Sequence, residues 1–438
     1  MGIYGHNTRC LKDDNYNILS GSHRNLFDVT DNHDHGRKRR LLSAAFAIKN
    51  LEKWEHKVDY TTRRLFKVLD SKCTPPLKTS IPDPGEVNVD FNHWINLWTI
   101  EAINYICVSS KMDLLDTGTD EVTAERPDGS QYRARYRLAM NEMVRAPAVF
   151  VWDYRLWPWL KWFSQILPTH YRSRWTTGAQ FDDVTYHQAA ERLRRYQAGE
   201  KDLDDFFSCL MDDKAGQPNN LEWGEVCSEI NALLNAGFET TGIALTHALE
   251  LLIKHPQHLQ MLREELDMVL DPEEVVAPYD KVKDLPFLRA CIDESLRIIP
   301  PVSEGLPRRT PAEGAQIMDH WIPGDTSVNM TVYAAHRDPE IFKDPEVFDP
   351  TRWLNLEDRK RMESAFIAFS AGSRGCLGRN ITYLEQIIMI ASLVHRYDFA
   401  LPTPDFVLDR FEAFNILCGQ LPIKIWRRPR SVVETDTS

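Results

Sequence analysis

Apolar residues spaced near three and four mark the strongest helix of the chain, residues 222–253. Val226, Ile230, Leu233, Gly237, Ala244, Ala248 and Leu252 fall on or near one face, and Pro256 ends the run. A second helix is predicted over 286–299, opening at Pro286 and stopping before Pro300 and Pro301. Helical periodicity recurs over about 85–110, 131–150 and 175–213, and a basic amphipathic helix is predicted from Arg37 to Phe46. The texture then changes: nine of the 25 prolines lie between 286 and 350, with strand-like alternation from Ile317 to Tyr333 around Pro323-Gly324. A last helix over about 377–395 precedes a strand-like tail ending at Ile423-Lys424-Ile425, while residues 1–34 read as loops around short turns. The pattern predicts a mainly α fold with a small β subdomain.

Length adjusts this picture little. At 438 residues, a prior of roughly 150 residues per domain suggests three domains. Yet there is no fixed-period repeat, no long linker and no charge block to mark a boundary, so one domain over 1–438 is expected. Asp plus Glu exceeds Lys plus Arg by 64 to 52, giving a net charge of -12. Such a chain is a poor candidate for sequence-independent nucleic-acid binding, which depends on neutralising phosphates. No run of about 20 apolar residues is present, as a conventional spanning helix would require, and no secretory signal is visible. Residues 147–168 stand apart, with four of the chain's 12 Trp mixed with Arg155 and Lys161. Aromatic and basic residues together suit a membrane–water interface, so this loop is a candidate membrane contact as much as a loop folded on the core.

The eight cysteines are scattered singly with no Cys-x-x-Cys, which excludes zinc ribbons and iron–sulfur runs and favours a reducing environment. Cys376 differs from the rest. It stands in Phe369-Ser370-Ala371-Gly372-Ser373-Arg374-Gly375-Cys376-Leu377-Gly378, a glycine-rich loop just before a helix. There backbone N–H groups can point at the sulfur, and the positive helix end favours a thiolate. Arg374 offers a donor fork for a carboxylate. A thiolate held this way can serve as an axial haem ligand.

This segment resembles the haem-binding loop of cytochrome P-450 monooxygenases, with Cys376 in the position of the proximal iron ligand and Phe369 supporting the loop. Three further motifs follow the family's order. In Ala236-Gly237-Phe238-Glu239-Thr240-Thr241, Gly237 would admit a flat ligand. The resemblance makes Thr240 the distal hydrogen-bonding group and Glu239 the proton-delivering carboxylate. Glu294 and Arg297 share one helix face, and the family pattern adds Arg352 from Pro350-Thr351-Arg352-Trp353, a structural trio behind the cysteine loop. His35 and Arg39, one helical turn apart, would face a haem propionate together with Arg374, and one of Arg308 and Arg309 would join them. His33 and His35 lack a third partner for a metal site.

The resemblance, closest to filamentous-fungal enzymes of specialised metabolism, implies the cytochrome P-450 fold. It also implies that the family's membrane anchor, first helix and first strands are not contained in this chain. The implied activity is insertion of one oxygen atom from dioxygen into a lipophilic small molecule. Haem b on a cysteine thiolate would carry it, with electrons from NADPH through a membrane-bound NADPH–cytochrome P-450 reductase on the cytosolic face of the endoplasmic reticulum. Arg37, Lys38 and Arg40 are expected to contact that reductase. Ile230, Asn235, Phe238, Val302 to Leu306 and Phe414 to Leu417 are expected to line the distal pocket. A haem-thiolate isomerase or dehydratase and an inactive truncated haem-binding remnant are the rival readings; the retained Glu239–Thr240 pair speaks against the isomerase.

Overall fold

The stripe of apolar residues that marks the strongest helix becomes, in the computed structural model, the long helix Trp223–Lys254. The structure describes residues 2–43, 45–46, 48–148, 155–167, 170–201 and 203–429. Every residue from Thr241 to Leu252 is buried, so this half of the helix is covered on all sides rather than on one face. Against it pack the helices Phe91–Val108, Pro286–Ile298 and Arg379–Arg396, the last beginning just after the cysteine loop. Asp90 caps the first of these by accepting the His93 N–H. The helix Pro286–Ile298 opens on its proline, whose missing N–H costs nothing at that position. Leu249, Leu288, Ile388 and Leu393 are fully buried where these helices meet, each contributing about 1.5–3 kcal/mol of apolar burial.

Two glycines set how closely the long helix approaches Phe91–Val108. A Cβ on Gly237 would lie 2.4 Å from Ile103 Cδ1, and one on Gly242 would lie 2.9 Å from Asn96 Oδ1. Gly237 therefore serves the packing of these two helices.

The strands form small sheets beside this helical body. Leu11–Lys12, Arg308–Arg309 and Ser327–Val328 make an antiparallel sheet that sets Lys12 opposite Arg308. Val89–Asp90, Pro422–Arg427 and Tyr397–Ala400 make a second. Arg410–Ala413 and Asn415–Cys418 form a hairpin near the end of the described chain, turning at Phe414 with φ 65°.

Several sequence expectations shift. The 131–150 helix starts only at Tyr136, because Gln131–Arg135 pairs with Glu121–Glu125 as a hairpin. The 175–213 segment divides into His170–Gln197 and a short helix Phe206–Met211 capped by Asp205. The alternation near Pro323 turns instead at Met318, between Ala315–Ile317 and His320–Ile322. A 25-residue helix, Ile48–Lys72, adds to the expected elements: Trp54, Val58, Leu65, Phe66 and Leu69 keep helical spacing and are buried. Of the stretch 147–168, residues 149–154 and 168 lie outside the described residues; Trp157–Ile166 is a helix.

Candidate functional site: the cysteine loop and the long helix

The loop before the helix Arg379–Arg396 is shaped by its own backbone. The Cys376 N–H donates to Phe369 O at 2.8 Å and the Gly375 N–H to Gly372 O at 3.1 Å. Gly372 has φ 70°, and a Cβ there would lie 2.0 Å from Tyr4 O, so only glycine fits between loop and N-terminal segment. Phe369 packs on Tyr383 at 5.2 Å, fixing the loop to the helix behind it. The Cys376 side chain is accessible, yet the surrounding protein desolvates its thiol and raises its pKa. The backbone N–H groups of Gly378 and Arg379 and the charges of Arg39 and Arg379 oppose that rise. These donors suit a sulfur that carries negative charge as a ligand.

On the long helix, Thr240 Oγ1 donates to Ala236 O at 2.7 Å, the back-bond expected of a mid-helix threonine. Glu239 is buried and its carboxyl accepts from Asn415 Nδ2 at 2.9 Å. Burial pushes its pKa up to about 7, against the hydrogen bond from Asn415 and the charges of Arg137 and Arg145. Next to it, Thr241 Oγ1 donates to Glu385 Oε2 at 3.2 Å, which ties the long helix to the cysteine helix. Ile230 and Phe238, expected in the distal pocket, are fully buried in the core, Phe238 edge-on to Tyr136 at 5.6 Å.

Cationic side chains from four segments gather on the opposite flank of the loop. Lys12, Arg39, Arg308 and Arg374 surround a buried His35, and none of the five forms an ion pair among the described residues. Burial, then Arg374 and Arg308, lowers Lys12 to about 6; burial, then Arg374 and Arg39, lowers His35 to about 3. Burial is the larger cause and the neighbouring cations add to it; an anionic group such as a carboxylate would offset the charges gathered there. Lys12 escaped the sequence reading because its strand brings it here by pairing with Arg308, almost 300 residues away along the chain. Arg309 points elsewhere, with Asp13 and Asp14 as ion-pair partners, so it is Arg308 that joins the cluster.

Arg374 and Arg39 hold the site's framework as well. Arg374 donates from Nη1 to Val29 O at 2.7 Å, and from Nη2 to Thr30 O and Asn32 Oδ1 at 3.1 and 2.9 Å. Its fork thus fastens the lead-in of the helix Asn32–Ser43, leaving Nε outside these bonds. Arg39 Nη1 donates to Gly375 O at 2.9 Å, which fastens that helix to the loop. Of the expected reductase contacts, Lys38 is turned into the fold and Arg37 is tied to acids of its own chain. Lys38 is buried between Glu225 and Glu229 of the long helix, at 2.5 and 3.0 Å, and Arg37 pairs with Asp34 and Glu225. Arg40 alone of the three is exposed.

Behind the loop, Glu294 accepts from Arg297 twice at 2.8 Å, from Arg352 Nε at 3.0 Å and from Trp353 Nε1 at 2.9 Å. Arg297 also donates to the carbonyls of His336, Pro345 and Val347, drawing the proline-rich meander around one buried guanidinium. His336 completes the link: its Nε2 accepts the Ile367 N–H at 3.0 Å and its Nδ1 bonds Arg297 O at 3.1 Å. Burial keeps it neutral, with a pKa near 3. This histidine, two residues before Asp338-Pro339, joins the trio to the strand of chain entering the cysteine loop.

The comparisons with known proteins identify the family. The family model described as cytochrome P450 matches residues 11–426. A cytochrome P450 monooxygenase of Aspergillus terreus is 27% identical over 418 residues, 90% of this chain and 78% of the relative. Tryprostatin B 6-hydroxylase of Aspergillus fumigatus is 26% identical over 97% of this chain and 70% of its own length. Benzoate 4-monooxygenase of Aspergillus niger is 27% identical over 91% and 77%. Among solved structures, the haem domain of cytochrome P450DA superposes with a TM-score of 0.76 at 18% identity, covering 97% of this chain and 85% of that one, a likeness of fold. The chain belongs to the cytochrome P450 family of haem-thiolate monooxygenases.

Proposed function

We propose that this P450 forms one haem domain that hydroxylates a lipophilic small molecule in fungal secondary metabolism, with Cys376 as the iron ligand. The observation that carries the reading is a cysteine whose sulfur is flanked by backbone N–H groups, at the start of a helix packed on the long helix that bears a buried acid beside a back-bonded threonine. In balance, substrate, dioxygen, NADPH and a proton give hydroxylated substrate, water and NADP+. Haem on a thiolate, when bound, supplies the oxidising chemistry, because the thiolate pushes electron density that favours O–O cleavage.

The residues of the chain supply position and protons. Arg39, His35, Arg308, Lys12 and Nε of Arg374 would hold the two propionates, whose negative charge would offset the cations gathered there. Thr240 gives its own hydrogen to Ala236 O and so presents lone pairs as an acceptor. Glu239, with a pKa near neutrality, both gives and regains a proton at working pH. An isomerase or dehydratase consumes no such protons, and the retained pair favours oxygenation over it.

Electrons come from a reductase partner, and NADPH–cytochrome P-450 reductase at the endoplasmic reticulum is the one proposed. No described helix is long and apolar enough to cross a membrane. The helix Trp157–Ile166 nevertheless exposes Trp159, Trp162, Phe163 and Ile166, flanked by exposed Leu156 and Leu167. We assign this apolar face, within the stretch 147–168, to contact with the lipid surface.

Tryprostatin B and benzoate, from the names of two relatives, are the first probes. Incubation with reductase, NADPH and labelled dioxygen should yield an aromatic product carrying one labelled oxygen. A rearranged or dehydrated product formed without NADPH would contradict the reading.

A further inference from the structure

We infer that Asn415 is a positioning residue for proton delivery: from the strand of the last described hairpin, its amide holds one carboxyl oxygen of Glu239 and leaves the other to carry the proton. This rests on the reading of Glu239 as the proton donor. Asn415 Nδ2 lies 2.9 Å from Glu239 Oε2, and the two residues, 176 positions apart, are 5% and 4% exposed. Asn415 Oδ1 is buried without a hydrogen-bond partner. A leucine would fill the same space without burying an unsatisfied amide oxygen, so space-filling does not account for the asparagine.

The hairpin that carries Asn415 is fixed to the same long helix at a second point. Arg410 Nε donates to His247 Nε2 at 3.0 Å and Arg410 Nη2 to Glu250 Oε2 at 2.6 Å, two and three turns beyond Glu239. At the other strand, the Ile416 N–H donates to Pro301 O at 2.9 Å, and Arg137 reaches Cys418 O at 3.4 Å. Phe414, at φ 65°, makes the turn that sets Asn415 facing inward. The amide is thus presented by a braced strand, not by a loose loop.

Other groups near Glu239 act at longer range. Arg137 and Arg145, on the helix Tyr136–Ala148, favour its anion without forming an ion pair with it, and the Cys418 thiol lies on the hairpin. Among the described residues, Asn415 is the one whose side chain hydrogen-bonds the carboxyl. Its N–H stabilises the anion and selects Oε2 as the acceptor, so the proton belongs on Oε1.

The test is an infrared pH titration of the haem-loaded protein, reading the C=O stretch of the protonated Glu239 side chain, assigned by its disappearance in Glu239→Gln. In wild type the band titrates near neutrality. In Asn415→Leu its midpoint moves up by about one pH unit and its frequency rises, because a donor to the carboxyl is lost. Asn415→Ser, which keeps a hydroxyl donor, falls between and carries the comparison if the leucine variant fails to fold. An unchanged midpoint and frequency in both variants, or the absence of any band lost in Glu239→Gln, overturns the inference. Failure of the proton-donor reading itself shows separately, as product yield per NADPH unchanged in Glu239→Gln while the infrared shift in Asn415→Leu persists.

Discussion

Thr240 Oγ1 donates its hydrogen to the carbonyl oxygen of Ala236 at 2.7 Å, one turn back along the long helix. Replacing it with alanine removes the acceptor without touching Cys376 or the cation cluster. Thr240→Ala should keep its haem and its substrate affinity while losing roughly 10²-fold in coupled product formation, the scale of a positioned acid–base group. NADPH consumption against product, with peroxide measured alongside, reads this directly. A variant as well coupled as wild type would remove Thr240 from the chemistry.

The Glu294–Arg297–Arg352 group should behave as a buried structural unit. Arg297 and Glu294 are both fully buried, and removing one strands the charge of the other at a cost of about 3–5 kcal/mol. Urea unfolding of Arg297→Leu and Glu294→Leu should show losses of that order. The double variant Glu294→Leu/Arg297→Met should lose less than the sum, because neither charge is left alone. Additive losses would contradict a shared buried pair.

Arg308 and Arg309 are neighbours with separate tasks. Arg308→Leu should speed the transfer of haem to apomyoglobin, while Arg309→Leu, which removes a guanidinium held by Asp13, Asp14 and the carbonyl of Asp325, should leave it unchanged. Equal effects in both variants would dissolve the distinction drawn from the sheet Leu11–Lys12, Arg308–Arg309, Ser327–Val328.

Glu385 predicts a pH dependence of stability. Burial raises its pKa from 4.5 to about 8, with Thr241 its hydrogen-bond partner. Its folded form holds the proton more tightly than the unfolded chain, so its favourable share is full below pH 4.5 and is lost as pH climbs toward 8. Thermal midpoints of wild type and Glu385→Gln should run parallel below pH 4.5 and diverge above it, the glutamine variant gaining as pH approaches 8. Curves that stay parallel through that window would place the carboxyl in a wetter setting than the structure does.

The reach of sequence reasoning follows how local each feature is. Cys376, its glycines and the acid–alcohol pair lie in short runs whose chemistry is written residue by residue. Glu294 and Arg297 share one turn of one helix. The parts that escaped depend on long-range pairing: Lys12 enters the cation cluster only through its register with Arg308, and Asn415 meets Glu239 only because the hairpin is braced on the long helix. The packing role of Gly237 was hidden for the same reason, since the residue it must clear, Ile103, belongs to another helix. Lys38 looked like surface in a basic run, but Glu225 and Glu229 cover it.

The exposed face of Trp157–Ile166 gives a test on membranes. Each of Trp159, Trp162, Phe163 and Ile166 is about half exposed or more, and each would bring of order 1 kcal/mol or more on entering lipid. Replacing the four by serine should lower co-sedimentation with phosphatidylcholine–phosphatidylserine vesicles at least about tenfold. Undiminished binding would locate the lipid contact elsewhere.

The carbon monoxide difference spectrum of the reduced, haem-loaded protein tests the central claim most directly, because it reports the atom bound to iron. Wild type should show the red-shifted band of thiolate ligation, and Cys376→Ser should lose it while still binding haem through its propionate cluster. A wild-type spectrum lacking that band, or a Cys376→Ser variant that keeps it, would contradict the assignment of Cys376.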